Sequence, residues 1–226
     1  MKKALVIFSG GQDSTTCLGW ALHRFDEVEA ISFEYGQRHE IELDSAKKIA
    51  KKLGVKHTIL KLSVFKELGN SALLEEDLDV GSSHSQKPNL PASFVPNRNA
   101  MFFTVAHAFA QKIGASFLVT GISQEDYSGY PDCREEFIKP LQKALNLGSD
   151  SDIEFLYPLI HLTKAQTFQL AKDEGVLDTV INESHTCYNA DHTTFHPWGY
   201  GCGECPACKL RKKGWEEFNS LAEKLS

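Results

Sequence analysis

The chain has 226 residues, 42% of them hydrophobic and 24% charged, with a net charge of −6. It is long enough to bury a core without staples, and its acidic balance speaks against a general nucleic-acid binder. No stretch approaches the ~20 apolar residues of a membrane span, and the five apolar residues 4–8 fall short of a secretory apolar region of roughly 7–15. A cytoplasmic protein is expected, and in that compartment its six cysteines serve metal binding or chemistry in preference to disulfides.

Strand and helix signals alternate from the first residue. Residues 4–8 form a short apolar run of the kind buried on both faces of a sheet. Leu18, Ala21, Leu22 and Phe25 then recur with helical spacing. A strand is predicted at 28–35, then a helix marked by Ala46, Ile49, Ala50 and Leu53 and stopped by Gly54, then a strand at 56–62. Residues 69–96 are rich in Gly, Ser, Pro and acidic residues and read as a long loop. Phe102, Val105, Ala106 and Phe109 mark another helix, 116–120 and 153–159 two further strands, and Thr163 the start of a helix. This alternation predicts an α/β fold, with a parallel five-stranded sheet and helices on both faces. Beyond about Glu183 the apolar periods give way to Cys, His, Gly and Pro, so the chain divides into residues 1–182 and a small appendage, 183–226. The appendage closes with a helix carrying Trp215, Phe218, Ala222 and Leu225, placed to dock on the main core.

Between the first strand and first helix lies Ser9-Gly10-Gly11-Gln12-Asp13-Ser14-Thr15-Thr16. Two glycines allow a tight turn and close approach of backbone to ligand. Amides at a helix N-terminus, with the hydroxyls of Ser9, Ser14 and Thr15, form a site for phosphate or pyrophosphate. Asp13 either caps the helix or holds Mg2+ against the phosphates. Neither the P-loop pattern nor the dinucleotide fingerprint is present.

Ser-Gly-Gly-Xaa-Asp-Ser after an N-terminal strand resembles the loop of the ATP pyrophosphatase family, with its adenine nucleotide alpha hydrolase-like fold. That resemblance implies ATP binding with Mg2+ by Phe8, Ser9, Gly10, Gly11, Gln12, Asp13, Ser14, Thr15, Thr16, Cys17 and Leu18. It also implies release of pyrophosphate as the substrate becomes adenylated. The rest of the chain is similar to the 7-cyano-7-deazaguanine synthase family of queuosine biosynthesis. The similar segments are 8–18, 35–39, 95–99, 126–134, Pro158-Leu159 with Leu162-Thr163-Lys164-Ala165, and a terminal cysteine cluster. The resemblance implies an ATP-dependent ligase taking 7-carboxy-7-deazaguanine and ammonia to the nitrile through an adenylated carboxylate and an amide, in a homodimer with no nucleic-acid or membrane partner.

Asp13 and Lys164 are the catalytic candidates, Lys164 as the cation that neutralises the transferring phosphate. For the deazaguanine, Tyr127 and Tyr130 could stack, Asp132 could accept from N–H groups, and Arg98 or Arg134 could pair with the carboxylate. His39 is either a general base or phosphate ligand or the start of a helix, one asparagine of Asn97 and Asn99 is a helix cap, and Cys17 is a small core residue. Cys187, Cys202, Cys205 and Cys208 have the C-x14-C-x2-C-x2-C spacing of a closed four-thiolate site, structural because no position stays open. An iron–sulfur cluster uses the same donors; the resemblance favours one structural Zn2+ per chain.

Overall fold

The computed structural model describes residues 1–36, 41–68, 83–84, 87–91, 94–124 and 130–223. The chain begins with β1 (Lys3–Ile7), α1 (Gln12–Leu22), β2 (Glu27–Glu34), α2 (Ile41–Lys52), β3 (Lys56–Lys61) and the short α3 (Val64–Leu68). A hairpin of β4 (Ser83–His84) and β5 (Lys87–Pro91) lies in the predicted long loop, the rest of which is mostly outside the described residues. Then come α4 (Arg98–Ile113), β6 (Phe117–Val119), a tight turn over Pro131–Cys133, α5 (Glu135–Ser149) and β7 (Glu154–Leu156). The chain ends with α6 (Lys164–Asp173), α7 (Leu177–Glu183), β8 (Phe195–His196), β9 (Gly199–Tyr200) and α8 (Pro206–Glu223).

The main sheet is parallel throughout, in the order β3-β2-β1-β6-β7. Alternation of side chains along β1 sorts the core into two layers. Ala4, Val6 and Phe8 pack with Cys17, Leu18 and Ala21 of α1 and Ala46, Ile49 and Ala50 of α2. Leu5, with Ile31 and Phe33 of β2, packs with Phe103, Ala106 and Ala110 of α4 and Ile138 of α5. Helices therefore cover both faces, as the alternating pattern predicts. The fifth strand is shorter than the apolar run at 153–159, because the chain turns at Tyr157, whose carbonyl accepts from the Ile160 amide at 3.1 Å. Helix α5, which the sequence reading does not predict, packs an apolar stripe of Phe137, Ile138, Leu141 and Leu145 against this layer, with Pro140 inside it.

A third cluster joins Ala165, Phe168 and Ala171 of α6 and Val180 of α7 to Cys187, Trp198, Cys205, Cys208 and Phe218. Trp215 of α8 meets Phe168 edge-on at 5.2 Å. The terminal helix thus docks on the α/β core. From β1 the chain runs outward through β2 and β3, then crosses over to build β6 and β7 on the other side. A crevice for ligand opens at such a reversal, beyond the carboxyl ends of the strands.

Candidate active site and metal centre

The glycine loop follows β1 at this crevice. Gly10 has φ +84°, and a Cβ there would lie 2.5 Å from the Glu42 carbonyl oxygen and 2.6 Å from the Ala46 amide nitrogen, so only glycine fits against α2. Gly121, just beyond β6, is confined in the same way: its Cβ would sit 2.9 Å from the Ser14 amide nitrogen. The first turn of α1 is thereby held between α2 and the end of β6. Its N-cap is Gly11, which has no side chain to cap with, so Asp13 is not the cap. One Asp13 oxygen accepts from Lys164 Nζ at 2.6 Å, and the other is buried with no partner. Lys164 is presented by the first position of α6, whose N-terminus is locked by a capping box between Thr163 and Gln166.

A cavity of about 320 Å³ opens over this turn, at the lower end of the range for small-molecule sites. Phe8, Ser9, Gly11, Gln12, Asp13 and Ser14 line one side. Gln12 is 1% exposed, yet neither atom of its carboxamide has a partner. Phe33, Tyr35, Phe102, Arg98, Tyr130 and Glu42 also line the cavity. Phe33 and Phe102 stack at 4.7 Å, and the Arg98 guanidinium lies 5.9 Å from the Tyr130 ring centre. Burial works against the Arg98 charge, but Tyr35, Tyr130, Asp132 and Cys133 around it more than offset this and hold its pKa above the ordinary value. Burial pushes the Glu42 carboxyl up to about 7, with the Arg98 charge acting in the opposite direction.

The remaining candidates from the sequence fall elsewhere. Gly10, Thr15, Thr16, Cys17 and Leu18 do not line the cavity. The Thr15 and Thr16 hydroxyls donate to the Gly11 and Gln12 carbonyls, and Cys17 and Leu18 are buried in the core. Asp132 is buried and accepts from the Asn99 amide at 3.1 Å, securing the first turn of α4. Arg134 is half exposed beside Glu136 and outside the cavity lining. Tyr127 and His39 lie outside the described residues.

The four terminal cysteines do converge, with sulfurs all within 4.8 Å of one another. Cys187 Sγ–Cys205 Sγ and Cys202 Sγ–Cys208 Sγ are both 4.0 Å. A tetrahedron with metal–sulfur bonds of ~2.3 Å has edges of about 3.8 Å, so the cluster fits one ion. A cubane cluster, in which each thiolate takes a different iron, needs its sulfurs spread further apart. Hydrogen bonds from Cys187 and Cys208 pull the Cys205 thiol down, while the same crowding pushes Cys208 up. One thiolate discourages the next until a cation joins them.

Residues 3–219 match the family model described as queuosine biosynthesis protein QueC. The chain belongs to this family. It is 64% identical over 218 residues to the 7-cyano-7-deazaguanine synthase of Wolinella succinogenes, covering 96% of this chain and 94% of that protein. To the enzyme of the same name from Helicobacter pylori strain Shi470 it is 55% identical over 216 residues, covering 95% and 96%. Among solved structures it is similar to the U34-tRNA thiolase NcsA of Methanococcus maripaludis with its [4Fe-4S] cluster, with TM-score 0.51 and 16% identity over 99% of this chain and 67% of that one. At that identity the likeness shows a common fold alone.

Several cavity residues of this QueC chain were not singled out by the sequence pattern. Glu42 sits in the first turn of an amphipathic helix, where an acidic residue is ordinary. His185, Thr186 and Tyr188 line the cavity from the segment that also supplies Cys187 of the four-cysteine cluster. His185 is buried, its Nε2 facing the Cys187 carbonyl at 3.1 Å and its Nδ1 facing His192 Nδ1 at 3.1 Å. Burial, then the neighbouring His192, pulls its pKa down. Its proximity to Cys187 was the only signal in the sequence, and it pointed to the metal.

Proposed function

We propose that the chain is an ATP-dependent carbon–nitrogen ligase that converts 7-carboxy-7-deazaguanine and ammonia into 7-cyano-7-deazaguanine. The observation that carries this reading is a single cavity lined both by a phosphate-type loop, whose Asp13 is paired with Lys164, and by Arg98 among aromatic rings. A free carboxylate is a poor acyl donor, and attack on the α-phosphate of ATP turns it into a mixed anhydride with pyrophosphate leaving. Ammonia then displaces AMP to give the amide. Loss of the amide oxygen requires a second nucleotide-dependent activation and leaves the nitrile.

In this reading the loop from Phe8 to Ser14 holds the departing pyrophosphate. Asp13, through its unpartnered oxygen, holds Mg2+, which when bound neutralises phosphate charge. Lys164 neutralises the charge developing at the α-phosphate. Arg98, partly buried and lining the cavity, pairs with the substrate carboxylate in place of the exposed Arg134. Tyr130 and Phe102 cover the heterocycle, and Tyr127 is assigned to the same stacking surface. Asp132 acts by fixing the helix turn that carries Arg98.

Cys187, Cys202, Cys205 and Cys208 would hold one structural Zn2+, whose closed shell supplies stability and no chemistry. We further assign residues 1–182 to the ATP-binding unit and 183–226 to the metal-binding one, in a cytoplasmic homodimer; no helix among the described residues is long and apolar enough to cross a membrane. The test is to incubate the protein with ATP, Mg2+, ammonium and 7-carboxy-7-deazaguanine and follow product mass. ATP-dependent appearance of the nitrile is expected. Neither amide nor nitrile, from folded and metal-loaded protein, overturns the reading.

A further inference from the structure

Thr186 lines the cavity next to the glycine loop, one residue before Cys187 of the four-cysteine cluster. Its hydroxyl oxygen accepts from the Gln12 backbone amide at 3.4 Å and from Arg211 Nη1 at 3.1 Å. A hydroxyl has two lone pairs and one proton, so both acceptor positions are taken and only donation remains. Among the described residues, nothing accepts that proton. On the same loop the carboxamide of Gln12 and one oxygen of Asp13 are buried without partners among the described residues, and such groups call for a partner such as a bound ion or water.

Arg211 stands behind Thr186 and is 1% exposed. Its Nη2 donates to the Val180 carbonyl at 2.8 Å and to Ser184 Oγ at 3.1 Å. Gly199 leaves room for the guanidinium, since a Cβ there would come within 2.5 Å of Nη2. No carboxylate pairs with Arg211 in any ion pair among the described residues, and its Nη1 reaches the cavity wall only through Thr186. The loop and this segment are also tied directly, the His185 amide donating to the Gly10 carbonyl at 3.0 Å.

We propose that Thr186 and Arg211 extend the phosphate site: the Thr186 hydroxyl donates to a pyrophosphate oxygen, and Arg211 fixes and polarises that hydroxyl from behind. Thr186 is then a binding residue and Arg211 a positioning one. The cysteine cluster acquires a second consequence, because Cys187 adjoins Thr186 and Cys208 lies one turn before Arg211. Closing the metal site sets both partners of the pair. The inference rests on the glycine loop being the pyrophosphate site.

The test is calorimetric titration of metal-loaded Thr186→Val and Thr186→Ser with inorganic pyrophosphate and, separately, with adenosine. Thr186→Val is expected to weaken pyrophosphate about tenfold or more, the effect of losing a hydrogen bond to a charged group, and to leave adenosine within about twofold. Thr186→Ser keeps the hydroxyl and is expected to bind pyrophosphate within about twofold of wild type. Arg211→Lys keeps the charge and loses the fork, and is expected to raise the KM for ATP with kcat little changed. Wild-type affinity in Thr186→Val, equal weakening of both ligands, or a tenfold loss in Thr186→Ser overturns the proposal. If wild-type protein binds no pyrophosphate, the underlying phosphate-site reading fails, and this inference with it.

Discussion

Gly121→Ala separates the geometry of the site from the stability of the fold. A Cβ at Gly121 would lie 2.9 Å from both the Asp13 carbonyl carbon and the Ser14 amide nitrogen, and 3.1 Å from the Asp13 carbonyl oxygen. Ordinary carbon contacts lie at ~3.5–4.0 Å, so the first turn of α1 and the end of β6 must separate by about 0.6–1 Å. All three atoms are backbone, and no side chain can rotate away. Overpacking of this kind costs ~1–3 kcal/mol, and at ~2–4 °C per kcal/mol for a chain of this size the melting temperature falls by roughly 2–12 °C. The protein remains folded, but Asp13 and the loop amides are displaced from the phosphates, and a displacement of ~1 Å costs about a hundredfold in rate. The assay is ATP–pyrophosphate exchange dependent on 7-carboxy-7-deazaguanine, run beside thermal melts. Gly114→Ala is the control, because Gly114 caps α4 at φ +70° with nothing within 4 Å of its Cβ position. It should lose ~1–2 kcal/mol to left-handed strain with exchange unchanged. Exchange in Gly121→Ala within threefold of that control would refute the claim that the β6 end holds the phosphate loop in register.

Lys164→Met keeps the stem but removes the cation 2.6 Å from Asp13; turnover should fall about 100- to 1,000-fold, measured against a small change in melting temperature, and equal proportional losses in both would sink the catalytic assignment. Chelation under reducing conditions should release one metal ion per chain and melt the cluster around Phe168, Trp198 and Phe218, since structural zinc is worth ~10 kcal/mol or more; circular dichroism that is unchanged after complete metal loss would contradict this. Glu42, at about 7 in the folded chain against 4.5 for the ordinary carboxyl, binds more protons folded than unfolded across that interval. Its contribution to stability therefore falls as pH rises from about 4.5 to 7, and denaturant titrations of Glu42→Gln should lack that downward slope. Gly148→Ala lies inside α5, exposed and with open space around the Cβ position, and should raise stability by about 0.5–1 kcal/mol in the same titrations.

Local patterns carried much of this protein. The apolar run of β1 and the helical stripe of α1 required a strand buried on both faces and a helix covering it, and short βα connections made the sheet parallel. Ser9-Gly10-Gly11 declared a turn only glycine can make, and the C-x14-C-x2-C-x2-C spacing declared four sulfurs able to meet. These features depend on neighbours along the chain, so sequence alone determined them. Tertiary structure decided what depends on distant segments. Gly121 owes its necessity to a helix turn 108 positions upstream of it, at Asp13. Asp132, chemically suited to bind a heterocycle, is occupied by the Asn99 amide, and Arg98 instead of Arg134 faces the cavity. Glu42 becomes a high-pKa acid only because α2 places it in the cavity wall, where burial outweighs the opposing charge of Arg98. Thr186 meets the glycine loop where α8, packed on α6, presents Arg211 to it. Desolvation and hydrogen-bond partnership are properties of three-dimensional neighbours, which residue type and spacing do not encode.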